Sequence, residues 1–337
     1  MRLPDTIGFG PHDAARLYTG AVAGRERTAV KLLADRIRQG DPRALARALS
    51  AVENRSAGTD ELLADLHDPN TVAQRFGITG PPGAGKSTLV DCIARHLRSE
   101  DVSVGILAVD PSSPFSGGAI LGDRVRMQRH HGDSGVFIRS MAARGELGGL
   151  APAVGDALAL LEAAGRDTVL IETAGVGQSE VDVVHLAATV AVVLTPAAGD
   201  DIQAAKAGIM EIADVFVINK ADQPGADELE RQILAMTSLI PPGKPKPPVL
   251  RTSASRCDGI EELVKALRQT ARAPSDPAYW KRQLLKRLSG DLQAMLLDGA
   301  GLEPDLDRAA AAIASGKLNP YVYAQAVVGR FKQQWKR

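Results

Sequence analysis

Residues 80–88 read Gly80-Pro81-Pro82-Gly83-Ala84-Gly85-Lys86-Ser87-Thr88, which satisfies G-x-x-x-x-G-K-[ST] at every fixed position. The pattern carries weight only between a buried strand and a helix. Phe76-Gly77-Ile78-Thr79 before it is a short β-type run, and Leu89, Val90, Ile93, Ala94 and Leu97 after it recur at helical spacing. The glycines let successive backbone N–H groups turn inward around a phosphate, and the positive end of the following helix adds to the attraction. Lys86 is then placed to reach the outer phosphates, and the Ser87 hydroxyl to ligate Mg²⁺. A glycine-rich turn that binds nothing needs neither the lysine nor the hydroxyl.

Downstream, apolar runs at 102–109, 135–139, 168–171, 190–194, 215–218 and 249–252 have the length and continuity of buried parallel strands. Helical patterns such as 153–164 lie between many of them. This alternation predicts an α/β fold: a doubly wound, mostly parallel sheet of the P-loop NTPase type, with ligands at the carboxyl ends of the strands. Helical extensions are expected on both sides, giving an N-terminal region over 1–72, a nucleotide domain over 73–272 and a helical arm over 273–337. In the first, Ala29, Val30, Leu33 and Ile37 share a helical face. Gly40-Asp41-Pro42 then reads as a helix stop, an N-cap and a first helical position. Leu45, Ala48, Leu49 and Val52 mark the next helix, and 60–67 a third, which are expected to pack on the sheet. In the arm, Trp280, Leu284, Leu288 and Leu292 lie four apart, followed by Leu306, Ala310, Ala311 and Ile313. A helical tail beyond the last strand cannot extend the sheet, so a homodimer contact is favoured over self-packing. The proline-rich 241–248 is a stiff connector, because Val249 resumes the sheet.

Composition narrows the partners. The 40 basic and 40 acidic residues cancel and aromatics are 4%, so neither a global field nor a stacking platform recruits nucleic acid or an anionic membrane. Met1-Arg2-Leu3-Pro4-Asp5 leads into no apolar signal region. With two cysteines, Cys92 and Cys257, a disulfide framework is not expected and a reducing, cytoplasmic setting fits. His130-His131 reads as a surface feature.

Two further clusters give the phosphate loop a nucleotide. Asn219-Lys220-Ala221-Asp222 follows the 215–218 strand, where a carboxylate accepts from the N1–H and 2-amino group of guanine. Adenine offers those oxygens an acceptor and no amino group, and each buried group left unpaired costs about 1–3 kcal/mol. GTP or GDP is therefore expected, with the small residues Ser253 and Ala254 letting backbone amides approach the guanine oxygen. Glu172-Thr173-Ala174-Gly175 follows the 168–171 strand. An acid there can hold Mg²⁺ or reach a lytic water, and the Gly175 amide can sit against the γ-phosphate. Asp110, before Pro111, and Asp123, in the glycine-rich segment 116–126, are the other acids near the phosphates. Asp110 also reads as an Asx turn or N-cap.

GPPGAGKST from Gly80, VDPSSP from Val109, GGAILGDR from Gly117, ETAGVGQSE from Glu172 and NKAD from Asn219 together resemble the MeaB/ArgK family of P-loop GTPases, which includes the human methylmalonic aciduria type A protein. The resemblance extends to Leu318-Asn319-Pro320-Tyr321. It implies a homodimeric GTPase that serves adenosylcobalamin-dependent acyl-CoA mutases, chiefly methylmalonyl-CoA mutase, by gating cofactor loading and protecting or reactivating the enzyme. It implies magnesium and hydrolysis roles for Ser87, Asp110, Asp123 and Glu172. It also implies a mutase-responsive segment over 195–206, in which Gln203 and Lys206 sit at positions that the family uses. Ala174, often valine in relatives, and Ala198 are mild departures. Arg126 or Lys206 is expected to swing toward the β/γ-phosphates when the mutase docks, although Arg126 reads equally as a solvated cation. Intrinsic hydrolysis should be slow, since no glutamine or arginine is fixed in place to position water. Two alternatives stay open: a nickel or cobalt metallochaperone, which needs a thiol or imidazole cluster, and a GTP-dependent kinase, which needs an acceptor pocket.

Overall fold

Seven runs in this chain form strands, and those in the sheet's interior, buried on both faces, carry apolar side chains toward both layers. In a computed structural model the seven are β1 (Gln74–Thr79), β2 (Val104–Pro111), β3 (Val136–Ala143), β4 (Thr168–Thr173), β5 (Thr189–Leu194), β6 (Val215–Ile218) and β7 (Val249–Arg251). The structure describes residues 24–54, 56–68, 71–111, 130, 132–143, 152–173, 186–196, 212–241, 245–271, 281, 284–285, 288–289, 303–315, 317–323 and 325–326. The strands make one sheet in the order β3-β2-β4-β1-β5-β6-β7, and every neighbouring pair is parallel.

Side chains alternate between two cores, as the two-residue period of a strand demands. Ile106, Leu170, Ala191 and Val193 face one layer with α4 (Lys86–Ser99) and α7 (Ile260–Gln269). Leu107, Val169, Ile171, Val190 and Val192 face the other, with α5 (Pro152–Ala163) and α6 (Ala226–Thr237). The order of the sheet reverses direction at β1, so the crevice at the carboxyl end of β1 is the ligand position that such a topology provides.

One boundary differs from the sequence reading. β2 does not stop at Val109 but continues through Asp110 and Pro111, which lie opposite Ala142 and Ala143 of β3. Asp110 is therefore a strand residue and not the start of a turn. Proline is tolerated there because a strand's last position can dispense with a donor.

The N-terminal helices α1 (Gly24–Arg38), α2 (Pro42–Glu53) and α3 (Thr59–Leu66) share the core of α5. Asp41 caps α2, accepting from the amides of Arg43 at 2.9 Å and Ala44 at 3.2 Å, with Pro42 at the first helical position. Arg139 of β3 reaches back to Glu53 at 2.6 Å and to Ser50 at 3.2 Å, which ties α2 to the sheet edge.

His130 contradicts its expected surface position. It is buried, with Nε2 2.9 Å from Asp91 Oδ1 on α4. Adjacency to His131 suggested a surface pair, whereas His130 lies against a helix remote in sequence.

The chain divides into two units, Met1–Pro274 and Ser275–Arg337. Within the second, α8 (Glu303–Ala314) is followed by a turn that Asn319 caps, its Oδ1 accepting from the amides of Tyr321 at 2.9 Å and Val322 at 3.3 Å. Leu284, Leu285, Leu288, Tyr321 and Val322 of this unit are exposed. Among the described residues no helix is long and apolar enough to cross a membrane.

Candidate functional site

The phosphate loop begins where β1 ends. Gly80 has φ +138°, and a Cβ there would run into the Val193 carbonyl of β5, so only glycine lets the chain turn. Gly85 caps α4 at φ +85°, and a Cβ on it would lie 2.5 Å from Asn219 Nδ2. Gly83 and Thr88 are exposed along the loop and first helical turn, while Ala84 is buried. Lys86 and Ser87 are 6% and 9% exposed. The Lys86 ammonium donates to the carbonyls of Gly80 at 2.7 Å and Pro81 at 3.0 Å, which holds the loop in a closed curve. Ser87 Oγ donates to Glu172 Oε1 at 2.5 Å. Beneath them Thr173 Oγ1 donates to Thr79 Oγ1 at 2.9 Å, joining the ends of β4 and β1.

The second half of the site hangs from β6 and β7. Asn219 is 1% exposed and uses both ends of its amide. Nδ2 donates to the Ala84 carbonyl at 2.8 Å, while Oδ1 accepts from Ala254 N at 3.0 Å and Thr252 Oγ1 at 3.2 Å. Lys220, in the left-handed region at φ +57°, donates to the Gly83 carbonyl at 3.0 Å. Ser253 Oγ donates to Asp222 Oδ1 at 2.7 Å, and Arg256 lies 3.7 Å from the other carboxylate oxygen. The Ser253 hydrogen bond first, with Arg256 adding a smaller attraction, holds the Asp222 carboxyl below the usual aspartate value. Asp222 is thus oriented as an ionised acceptor. Ala254 differs from the expectation: its amide N–H is donated to Asn219 Oδ1 and so braces the loop instead of being turned toward a base oxygen.

Two of the expected acids, Glu172 and Asp110, stand at the carboxyl ends of adjacent strands, with Ala108 of β2 in register with Glu172 of β4. Asp110 is placed by its backbone alone. Asp123, Arg126, Gly175, Gln203 and Lys206 lie outside the described residues, as do 116–126 and 197–206. Among the described residues no three His, Cys, Asp or Glu side chains gather into a metal cluster. A hydroxyl and a carboxylate in contact at a helix N-terminus form the hard oxygen donor set that magnesium takes.

The cysteines correct the sequence reading. Cys92 on α4 and Cys257 in the loop after β7 form a disulfide, with Cα atoms 5.6 Å apart across 165 residues of sequence. Counting cysteines argued against a framework. It could not show that the base-side loop folds back onto the phosphate-loop helix. Thr79–Thr173 was likewise missed, since two threonines far apart in sequence give no motif.

The sequence profile of the family described as methylmalonyl Co-A mutase-associated GTPase MeaB matches residues 45–290. The chain belongs to the MeaB family. Its relatives include a GTPase-named protein of Pyrococcus abyssi, 46% identical over 78% of this chain and 83% of that one. The Escherichia coli GTPase ArgK is 42% identical over 56% of this chain and 58% of its own. The mouse protein named methylmalonic aciduria type A homolog, mitochondrial, is 34% identical over 75% of this chain and 65% of its own. The crystal structure of a protein named LAO/AO transport system kinase superposes with a TM-score of 0.62 at 25% identity, covering 90% of this chain and 98% of that one. As a MeaB-family member the chain is a GTPase, on an α/β P-loop fold.

Proposed function

We propose that this GTPase is a chaperone for an adenosylcobalamin-dependent acyl-CoA mutase, with methylmalonyl-CoA mutase as the favoured client. In this reading it gates cofactor loading and protects or reactivates the enzyme. The client reading is supported by the family's description and by the mouse relative's name. The hydrolytic reading is carried by one observation: Ser87 of the phosphate loop and Glu172 at the end of β4 share a hydrogen bond.

In this proposal Lys86 leaves the Gly80 and Pro81 carbonyls for the β/γ-phosphate oxygens, while the amides of 83–88 and Gly175 cradle them. Ser87 and Glu172, with Asp110 and Asp123, would hold Mg²⁺, which would supply positive charge to offset that of the phosphates. Asp222 reads guanine, with Ser253 fixing its orientation and Asn219, Lys220 and Ala254 framing the base. Water attacks the γ-phosphorus and GDP leaves, with Glu172 beside the reacting group. Docking of the mutase on 195–206 places Gln203 and either Lys206 or Arg126 near the phosphates. The exposed leucines of the second unit serve a homodimer contact, and the setting is cytoplasmic, with no role for nucleic acid or membrane.

The test is GTP turnover by the purified chain with and without methylmalonyl-, isobutyryl- and ethylmalonyl-CoA mutases. Stimulation by at least one supports the reading, and indifference to all overturns it. Full stimulation in both Arg126→Ala and Lys206→Ala removes the cation proposal. The kinase name of the superposed structure favours a second reading, phosphoryl transfer to an acceptor. Label from γ-labelled GTP found only in inorganic phosphate eliminates it.

A further inference from the structure

The fold brings the chain's two cysteines together, at a Cα separation of 5.6 Å that a disulfide spans without backbone movement. Cys92 is buried on α4, the helix that begins with Lys86 and Ser87. Cys257 is partly exposed and has φ +56°, a conformation that a non-glycine residue keeps only when its surroundings hold it. Arg95 Nη2 lies 2.6 Å from Cys257 Sγ and 3.2 Å from Cys92 Sγ, while its Nε is 3.3 Å from Asp91. A guanidinium against sulfur favours thiolate, the form that attacks and leaves in disulfide exchange. Cys92 Sγ also lies 3.1 Å from the Ala254 carbonyl. Ala254 and its neighbour Ser253 are the residues that hold Asn219 and Asp222.

We propose that Cys92 and Cys257 form a reversible thiol–disulfide modification site, which when oxidised pins loop 253–258 to α4 and slows release of guanine nucleotide. The co-reactant is a small-molecule disulfide such as oxidised glutathione. The Cys257 thiolate attacks one of its sulfurs, the S–S bond breaks, and one glutathione thiolate leaves, giving a mixed disulfide. Cys92, as thiolate, attacks Cys257 Sγ and expels the second glutathione. Two electrons pass from the protein thiols to the small disulfide, and the two thiol protons end on the two glutathiones. Excess reduced glutathione reverses the sequence. In a reducing compartment such a bond is a switched feature and not a permanent staple.

This inference rests on loop 253–258 framing the base, so the experiment separates the two. Full-length wild type and Cys257→Ser are equilibrated with reduced or oxidised glutathione, trapped with N-ethylmaleimide and weighed intact. Release of a fluorescent GDP is then timed. Oxidised wild type should take up no maleimide and carry no glutathione, and should release GDP at least about fivefold more slowly than reduced wild type. Cys257→Ser should release at one rate in both buffers. Two alkylated thiols under oxidised glutathione alone, or equal release rates from the two forms, overturn the proposal. An Asp222→Asn protein that forms the disulfide yet keeps full affinity for GDP defeats the base-loop reading alone.

Discussion

Asn219 Nδ2 donates to the carbonyl of Ala84 at 2.8 Å, so the base-side motif is bonded directly to the phosphate loop. With Lys220 reaching Gly83 beside it, the two halves of the nucleotide site form one hydrogen-bonded piece.

That contact leaves no room at Gly85. Gly85→Ala places a methyl 2.5 Å from Asn219 Nδ2 at φ +85°. Gly83→Ala meets nothing within 4 Å at φ +77°. Both substitutions carry the left-handed cost of about 1–2 kcal/mol, and Gly85→Ala adds the clash. Thermal unfolding without nucleotide should therefore show a clearly larger loss for Gly85→Ala. Equal losses would mean that Asn219 moves aside freely.

Asp222→Asn turns one acceptor oxygen into a donor. Each lost charged hydrogen bond is worth about 1.5–3 kcal/mol, so GTP affinity should fall about 100-fold. Xanthosine triphosphate carries a carbonyl where guanine has its amino group, and it should bind the variant better than wild type. Calorimetric titration with both nucleotides is the check.

Glu172→Gln keeps the shape of the side chain and removes its charge. We expect nucleotide binding within a few-fold of wild type and a GTP turnover lowered by about 100-fold. Chelating divalent cations should slow wild type far more than the variant. Phosphate release with and without chelator measures both.

Asp167 and Asp133 respond to acid. Hydrogen bonds from the Ser103 hydroxyl and amide hold Asp167 below the usual aspartate value of 3.8, and Arg98 followed by the Gly135 amide does the same for Asp133. A carboxyl depressed in the fold contributes stability that is present above its unfolded value. That contribution is lost as pH falls through the folded one. Urea midpoints should thus be level from pH 7 to near 4 and fall below it, and Ser103→Ala should flatten the fall.

The sheet was legible because fully buried parallel strands announce themselves as apolar runs, as 190–194 and 215–218 do. Their ends were less so. Asp110 and Pro111 look like turn residues, and only pairing with Ala142 and Ala143 makes them strand. The phosphate and base motifs were readable because each is local. What joins them was not: Asn219 to Ala84 and Cys92 to Cys257 each link residues far apart in sequence. A polar or thiol side chain gives no sign of its partner until the backbone is folded. Asp123, Arg126, Gly175, Gln203 and Lys206 lie outside the described residues, and their roles are part of the proposed function.

β7 is three residues long and no residue of it is fully buried, whereas β4 and β5 are buried throughout. The loop with Ser253 and Ala254 hangs from that short outermost strand, while the phosphate loop springs from the sheet's interior. A departing nucleotide should therefore peel away purine first and triphosphate tail last, and anything that braces the outermost strand lengthens its residence.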